Sequence, residues 1–417
     1  MSRNNKKKRR KGRFSILIFI IEMLVLLVLF SGVFVYAKVN DGLRQMGSVS
    51  RNNQFVVTND ATPSSSAGSD TKEVNSKPVI TEVEEDPNLN TDNVIINEEA
   101  AVNKVMSGYT NILLLGIDAR SESEYNYSNS DTMIICSINN DNGEVRLASI
   151  YRDTLLNTNP ANPKYNKAND AYCQGSIAQC LSMINTNLDL SITQYMIVNF
   201  DALSTLVDDL DGIEITLSEQ EIGHLNNYCQ ETSKVTGKSY EPLPQVAGTY
   251  NLNGVQAVSY SRIRYTNGYD MKRTQRQRLV IKKITEKART KGLAAVDDVI
   301  ADVFPLCKTN ISNSMLIKMA AQMIGYYAIV DTTGFPFTFK SGSSGVNPEC
   351  LVPVTLCHNV QELHAFLFNE NDYQPSQTVM EYDAVMQEKS GFTEADIATA
   401  TSSSDVPAAA SEADTIR

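Results

Sequence analysis

The sequence predicts an α/β fold: a layered mixed β-sheet flanked by helices, behind an N-terminal transmembrane helix and a flexible stalk. Three observations carry this. Short strand-like apolar runs alternate with helical periods from about residue 105 onward, as in a sheet covered by helices. A continuous apolar run, Phe14 to Ala37, follows a dense basic end. Between the two lies a tract rich in Ser, Thr, Asn, Asp and Glu, too polar to bury a core. At 417 residues the chain suits one large domain or two modest ones. Its net charge of −11 argues against a dedicated nucleic-acid binder.

The N-terminal segments set the compartment. Residues 1–13, MSRNNKKKRRKGR, form a basic cytoplasmic segment. Residues 14–37 exceed the roughly 20 needed to cross a bilayer and outrun the ~7–15 apolar residues of a cleaved signal peptide. They therefore read as an uncleaved signal-anchor, which tolerates Glu22 at some cost. The positive-inside rule keeps the basic end in the cytoplasm and places everything after Ala37 outside. Residues 38–104 read as an extracytoplasmic stalk. Seven cysteines suit that side of the membrane. Cys136, inside an apolar run, reads as an unpaired buried thiol, which leaves six for up to three bridges of unknown connectivity. Cys173 and Cys180 are too far apart along a helix to bridge each other.

The folded domain opens at YTNILLLGID, a buried strand that delivers Asp118 to its carboxyl end. DTMIICSIN and EVRLASIYR are strands joined by the hairpin signal NDNGE. A helix follows near 168–187, then the strand QYMIVNF, the helix DALSTLVDDL and the strand IEITL. Residues 218–250 read as loop. NLNGVQAVSYSRIR and MKRTQRQRLVIKKITEKART are helical by period. This sets a catalytic domain at 105–290, an extension packed on it at 291–392, and a disordered tail at 393–417.

The chemistry concentrates in SYSRIRYTNGYDMKRTQRQR, Ser259 to Arg278, which sets five arginines and a lysine against one aspartate. Arg262 and Arg264 end one helix; Arg273 and Gln277 lie four apart on a face of the next. Arginine forks match phosphate oxygens bidentately and keep their charge, although a solvated helix face is the commoner use of such residues. Asp118 and Asp131, at the ends of adjacent strands, offer hard oxygen donors for Mg2+, or Mn2+ in its place. A turn-capping role is the plain alternative for either aspartate. Arg152 is a third strand-end charge. Carboxylates, a divalent cation and converging arginines together describe a pyrophosphate site.

Read in order, NILLLGIDAR, NSDTMIICSIN, VRLASIYRDT, KANDAY, LDGIEI, LNGVQAVSYSRIR and DMKRTQRQR resemble the LytR–CpsA–Psr family of bacterial cell-envelope proteins, from about Asn111 to Arg289. The resemblance implies a phosphotransferase that moves an anionic glycopolymer (teichoic acid, capsule or another secondary wall polymer) from an undecaprenyl-pyrophosphate carrier to peptidoglycan. It implies Asp118 and Asp131 as metal-associated carboxylates, and Arg152, Arg262, Arg264, Arg273 and Gln277 as the pyrophosphate clamp. It also implies an apolar pocket for the polyprenyl chain. Three positions depart from the family. Asn129 stands where an arginine is usual, with Arg120 as a substitute phosphate contact. Tyr151 replaces a proline, and Asp211 replaces the first of two glycines. Competing readings are a polyprenyl-pyrophosphate hydrolase, a membrane-bound transcriptional attenuator and a non-catalytic lipid-binding protein. No helix-turn-helix is legible, and the anchor puts the arginines on the wrong side of the membrane for DNA.

Overall fold

The computed structural model describes residues 90–117, 130–264, 269–292, 298–342 and 345–405. The basic segment, the apolar run 14–37 and the stalk up to 89 lie outside these residues. Among the described residues no helix is long and apolar enough to cross a membrane.

A six-stranded mixed sheet organises the domain. Strand β1 (Tyr109–Ile117) pairs antiparallel with β2 (Ser130–Asn139), which pairs antiparallel with β3 (Glu144–Ile150). The β2–β3 turn closes on Gly143 at φ +73°, as the NDNGE signal predicts. A short ribbon, β4 (Leu155–Asn157) and β5 (Tyr165–Lys167), leads into helix α1 (Asp170–Leu188). Strand β6 (Gln194–Val198) then pairs parallel with β1, so its crossover runs through α1. Two later strands complete the sheet: β9 (Lys308–Thr309) beside β6 and β10 (Ala328–Phe335) beside β3. The order is β10-β3-β2-β1-β6-β9, so the segment beyond residue 290 supplies both edges of the central sheet.

Side chains on a strand alternate between faces, and here the two faces have different fates. Leu113, Leu115, Met133, Ile135, Ala148 and Ile150 pack into a dense core with Ile177, Leu181 and Ile184 of α1. Their neighbours Ile112, Leu114, Ile134, Cys136, Ile138 and Leu147 line an open cavity on the other face.

That second face is covered by a helical lobe. Helix α2 (Phe200–Asp209), the ribbon β7 (Ile213–Leu217) with β8 (Gly248–Leu252), α3 (Glu219–Thr236), α4 (Gly254–Arg262) and α5 (Tyr269–Lys291) share one apolar cluster. A Cβ on Gly254 would stand 2.1 Å from the Ser204 carbonyl oxygen, so the glycine of LNGVQA lets α4 close on α2. Asp211 adopts φ +58°, a left-handed conformation that Asp accepts more readily than most residues. Helix α6 (Asn313–Gly325) connects β9 to β10. The chain continues through β11 (Thr338–Ser341), β12 (Leu351–Pro353), α7 (Leu356–Phe368) and α8 (Gln377–Ser390).

Residues 218–250 are largely regular, not loop. Helix α3 is fixed by a capping box in which Ser218 and Glu221 satisfy each other's backbone N–H. Its buried stripe, Ile222, Leu225, Cys229 and Thr232, is thin enough to escape a hydrophobic count. All seven cysteines are free. Cys180, Cys229 and Cys307 are each buried in a different cluster, which explains why the expected bridges do not form among them. Residues 393–405, placed in the tail by composition, include β13 (Thr401–Ser402), which pairs with β11.

Candidate functional site

Antiparallel pairing brings the end of β1, the start of β2 and the end of β3 to one edge of the sheet: Ile117 pairs with Ser130 and Ile134 with Ser149. Asp131 and Arg152 meet there, with Arg152 Nη1 3.0 Å from Asp131 Oδ1. A Cβ on Gly116 would lie 2.8 Å from that of Thr132, so glycine permits the close approach of β1 and β2 beside Asp131. β1 ends one residue before Asp118. Asp118, Arg120 and Asn129 lie outside the described residues.

Helices α4 and α5 deliver the second half of the site. Arg264 Nη2 donates to Asp131 Oδ2 at 2.8 Å, and Arg273 Nη2 donates to the Asp131 carbonyl at 2.8 Å. Arg273 Nη1 also stands 3.5 Å from Asp131 Oδ2. Burial pushes the Asp131 carboxyl up, but Arg273, Arg264 and Arg152 outweigh it and hold the group below the usual carboxylate range. Gln277, one turn beyond Arg273, lines the cavity and its Oε1 has no hydrogen-bond partner among the described residues.

One residue was missed by sequence reasoning. Asp270, the lone acid of the arginine segment, lies 2.9 Å from Arg273 Nη2, 3.7 Å from Arg152 Nε and 4.0 Å from Arg264 Nε. Burial is the strongest influence on its carboxyl and prevails over the three arginines, so its pKa is raised. The available signal was its spacing of three before Arg273, one helical turn. Asp153 completes the set, 3.6 Å from Arg152 Nε and 3.0 Å from Lys167 Nζ.

The five arginines divide by role. Arg264 and Arg273 join Arg152 around Asp131. Arg262 reaches the cavity wall but is held apart from that group. It pairs with Glu231 at 2.9 Å, donates to Thr232 Oγ1 at 3.0 Å, and sits over the rings of Phe200 and Tyr228. Arg276 is fully buried, with Nε 3.1 Å from Glu221 Oε1 and Nη1 donating to the Ile263 carbonyl. Arg278 is 5% exposed, and among the described residues its Nε and Nη1 find no acceptor.

The charged cluster sits at one end of a cavity of about 540 Å3. Behind Asp131, Arg264, Arg273 and Gln277 the walls are almost wholly apolar. Val280, Ile281 and Ile284 of α5 face Ile134, Cys136 and Ile138 of β2. A charged mouth on an apolar interior fits an amphiphile with an anionic head.

Among the described residues, no three His, Cys, Asp or Glu side chains gather in a way that could hold a metal ion. Asp131 nevertheless has the hard oxygens that Mg2+ prefers. Arg152, Arg264 and Arg273 are already opposed by Asp131, Asp270 and Asp153. A polyanionic headgroup would therefore be better balanced with an added divalent cation.

The model of the LytR_cpsA_psr family matches residues 72–346. Among curated proteins, the chain is 31% identical over 212 residues to the polyisoprenyl-teichoic acid–peptidoglycan teichoic acid transferase TagU of Enterococcus faecalis. That alignment covers 50% of this chain and 64% of the relative. It is 28% identical over 204 residues to the corresponding transferase TagT of Bacillus subtilis, covering 48% of this chain and 60% of the relative. The chain thus spans less than two thirds of the length of either. Protein gbs0355 from Streptococcus agalactiae, a solved structure, has the same fold, with a TM-score of 0.51 and 24% identity. It covers 66% of this chain and 93% of its own.

Proposed function

The chain belongs to the LytR_cpsA_psr family, and from that premise we propose an extracytoplasmic phosphotransferase that attaches an anionic glycopolymer to peptidoglycan. The donor is the polymer on an undecaprenyl-pyrophosphate carrier. One observation carries the reading: Arg152, Arg264 and Arg273 converge on Asp131 at the mouth of a largely apolar cavity. Such a site seats a pyrophosphate at the charges and a prenyl chain behind them. The names of the two transferases above, which specify a polyisoprenyl-linked teichoic acid and peptidoglycan, support the same donor and acceptor.

In the proposed step a sugar hydroxyl of peptidoglycan attacks the polymer-side phosphorus. A new P–O bond forms, the bond to the lipid phosphate breaks, and the lipid leaves as a monophosphate. The hydroxyl proton passes to a carboxylate of the site, Asp131 or Asp153, each of which faces Arg152. Phosphoryl transfer depends on positioning and charge neutralisation more than on covalent catalysis. Arg264 and Arg273 would hold the pyrophosphate, Arg152 would stabilise the charge growing on the departing phosphate, and Gln277 Oε1 would accept a hydrogen bond from a substrate hydroxyl or water. Mg2+, held by Asp131 with Asp118, would neutralise phosphate charge when bound. The run 14–37 would anchor the domain beside its lipid substrate.

The test is reconstitution. The full chain in detergent is incubated with a polyprenyl-pyrophosphate glycan, Mg2+ and a peptidoglycan oligomer, and products are followed by mass spectrometry. A phosphodiester adduct, lost in Arg273→Ala, is the expected result. Free phosphorylated glycan without adduct would make the protein a hydrolase instead.

A further inference from the structure

The cavity has two ends, built by different parts of the chain. The charged end is set by Asp131 at the start of β2. Ile134, Cys136 and Ile138 then line the wall along β2. At ~3.3 Å per residue, the seven steps from Asp131 to Ile138 span about 23 Å. Helix α5 keeps pace, since Arg273 to Ala288 at 1.5 Å per residue is about 22 Å.

Helix α6 contributes four lining residues to this cavity. It leaves β9 at one edge of the sheet and enters β10 at the other, so it must cross the sheet's full width. Both of its ends are pinned at the level opposite Asp131. Before the helix, Asn310 accepts from the Tyr195 N–H and donates to the Thr193 carbonyl, at the start of β6. After it, Tyr326 Oη donates to the Asn140 carbonyl in the β2–β3 turn, and Ile329 pairs with Val145. Gly143 keeps that junction tight, because a Cβ there would stand 2.6 Å from the Tyr326 carbonyl oxygen.

The helix is two-faced in the sense this placement requires. Ser314, Lys318, Ala321 and Gly325, all polar or small, are exposed on its outer stripe. Leu316, Met319, Ala320 and Met323 line the cavity, at the i, i+3, i+4, i+7 spacing of one face. Met323 also packs against the cluster that contains Ile284 and Ala288 in the far half of α5. Methionine is unbranched and fills irregular space, so Met319 and Met323 occupy the room at this end that a longer chain would need.

We propose that α6 is the floor of the lipid cavity and that Met319 and Met323 set how many isoprene units it shelters. The proposal rests on the polyprenyl reading of the cavity. It assigns a substrate-measuring role to a helix outside the arginine and aspartate motifs.

The experiment is a chain-length series. The full chain in detergent micelles is titrated with geranyl, farnesyl and progressively longer prenyl pyrophosphates, in competition with a fluorescent prenyl pyrophosphate. Affinity should rise severalfold per added unit while apolar surface is being buried, then level off once the cavity is full. Met323→Trp and Met319→Trp should bring the plateau to a shorter chain and leave geranyl pyrophosphate unaffected. Met323→Ala should move it to a longer one. Plateaus at the wild-type length in all three variants, with unchanged melting temperatures, would overturn the assignment. A flat series in the wild type would instead remove the lipid reading itself, and the floor with it.

Discussion

Arg264 Nη2 stands 2.8 Å from Asp131 Oδ2 although 133 residues separate them in the chain. Arg152 takes the other carboxylate oxygen at 3.0 Å. The arginines of the site are thus already engaged by an internal anion, and an entering pyrophosphate must share or displace it. Forked guanidinium groups suit that exchange, since each can hold two oxygens at once.

The unequal placement of Arg262 and Arg264 gives the first prediction. Arg264→Ala removes a direct partner of Asp131 and should lower the transfer rate by about 10²-fold or more, the scale for losing one preorganised donor. Arg262→Ala removes a group already tied to Glu231 and two aromatic rings and should cost distinctly less. Rates for both variants in the reconstituted reaction decide it. Equal losses would mean that Arg262 leaves Glu231 when substrate binds.

Arg152 should be the most costly single loss. It faces Asp131, Asp153 and Asp270 together, and a phosphate-clamping arginine can be worth roughly 10³–10⁵ in rate. Arg152→Ala should therefore abolish most transfer. Arg152→Lys should recover part of it, restoring charge without the planar fork. A folded Arg152→Ala protein with near-normal turnover would remove the assignment.

Acid stability tests the electrostatics separately from catalysis. The arginines hold the Asp131 carboxyl below its ordinary value of 3.8. Where the folded pKa is depressed, the unfolded chain binds protons more readily, so stability rises with pH through that window. The contribution is present above about 3.8 and is lost as pH falls through the lower folded value. Asp131→Asn should thus be less stable than wild type at neutral pH, with the gap narrowing in strong acid. A gap unchanged between those two conditions in denaturant titrations would show that Asp131 acts by packing alone.

How much of this was legible in the sequence differs from element to element. β1, β2 and β3 are short apolar runs with a turn signal between the last two, and their pairing follows. Asp131 and Arg152 were legible as strand ends because antiparallel pairing gathers those ends at one edge. α3 was not legible, because its stability comes from a cap and a thin stripe rather than a strong period. The resemblance singled out Arg273 for the clamp, but helical spacing alone did not separate it from Arg276 and Arg278. They sit within six residues on one helix, and only the packing of α5 turns Arg273 to Asp131 and Arg276 to Glu221. α6 was hidden for another reason: its function depends on which two sheet edges it joins, a long-range fact that no local pattern carries.

Arg276 and Arg278, the two deeply buried neighbours of Arg273 on α5, make opposite predictions about stability. Arg276 is buried against Glu221 at 3.1 Å. Arg276→Met would leave that carboxylate buried and unpaired, at a cost of about 3–5 kcal/mol. Arg278 is nearly as buried, yet among the described residues no carboxylate lies within ion-pairing distance, and Nε and Nη1 have no acceptor. Burial lowers its pKa to about 10, and the only opposing influence among the described residues is the ionised form of Tyr151, whose own pKa burial raises to about 12. At neutral pH the side chain is still charged in both states, so the whole penalty is present, and it fades only as pH rises from about 10 toward the unfolded value. A depression from 12.5 to about 10 corresponds to an order of 3 kcal/mol. Arg278→Met keeps the length of the side chain and removes the charge. It should raise the unfolding midpoint at neutral pH, while Arg276→Met lowers it. A loss of stability in Arg278→Met comparable to that in Arg276→Met would show that Tyr151, or a residue outside those described, serves as a true partner to the Arg278 guanidinium.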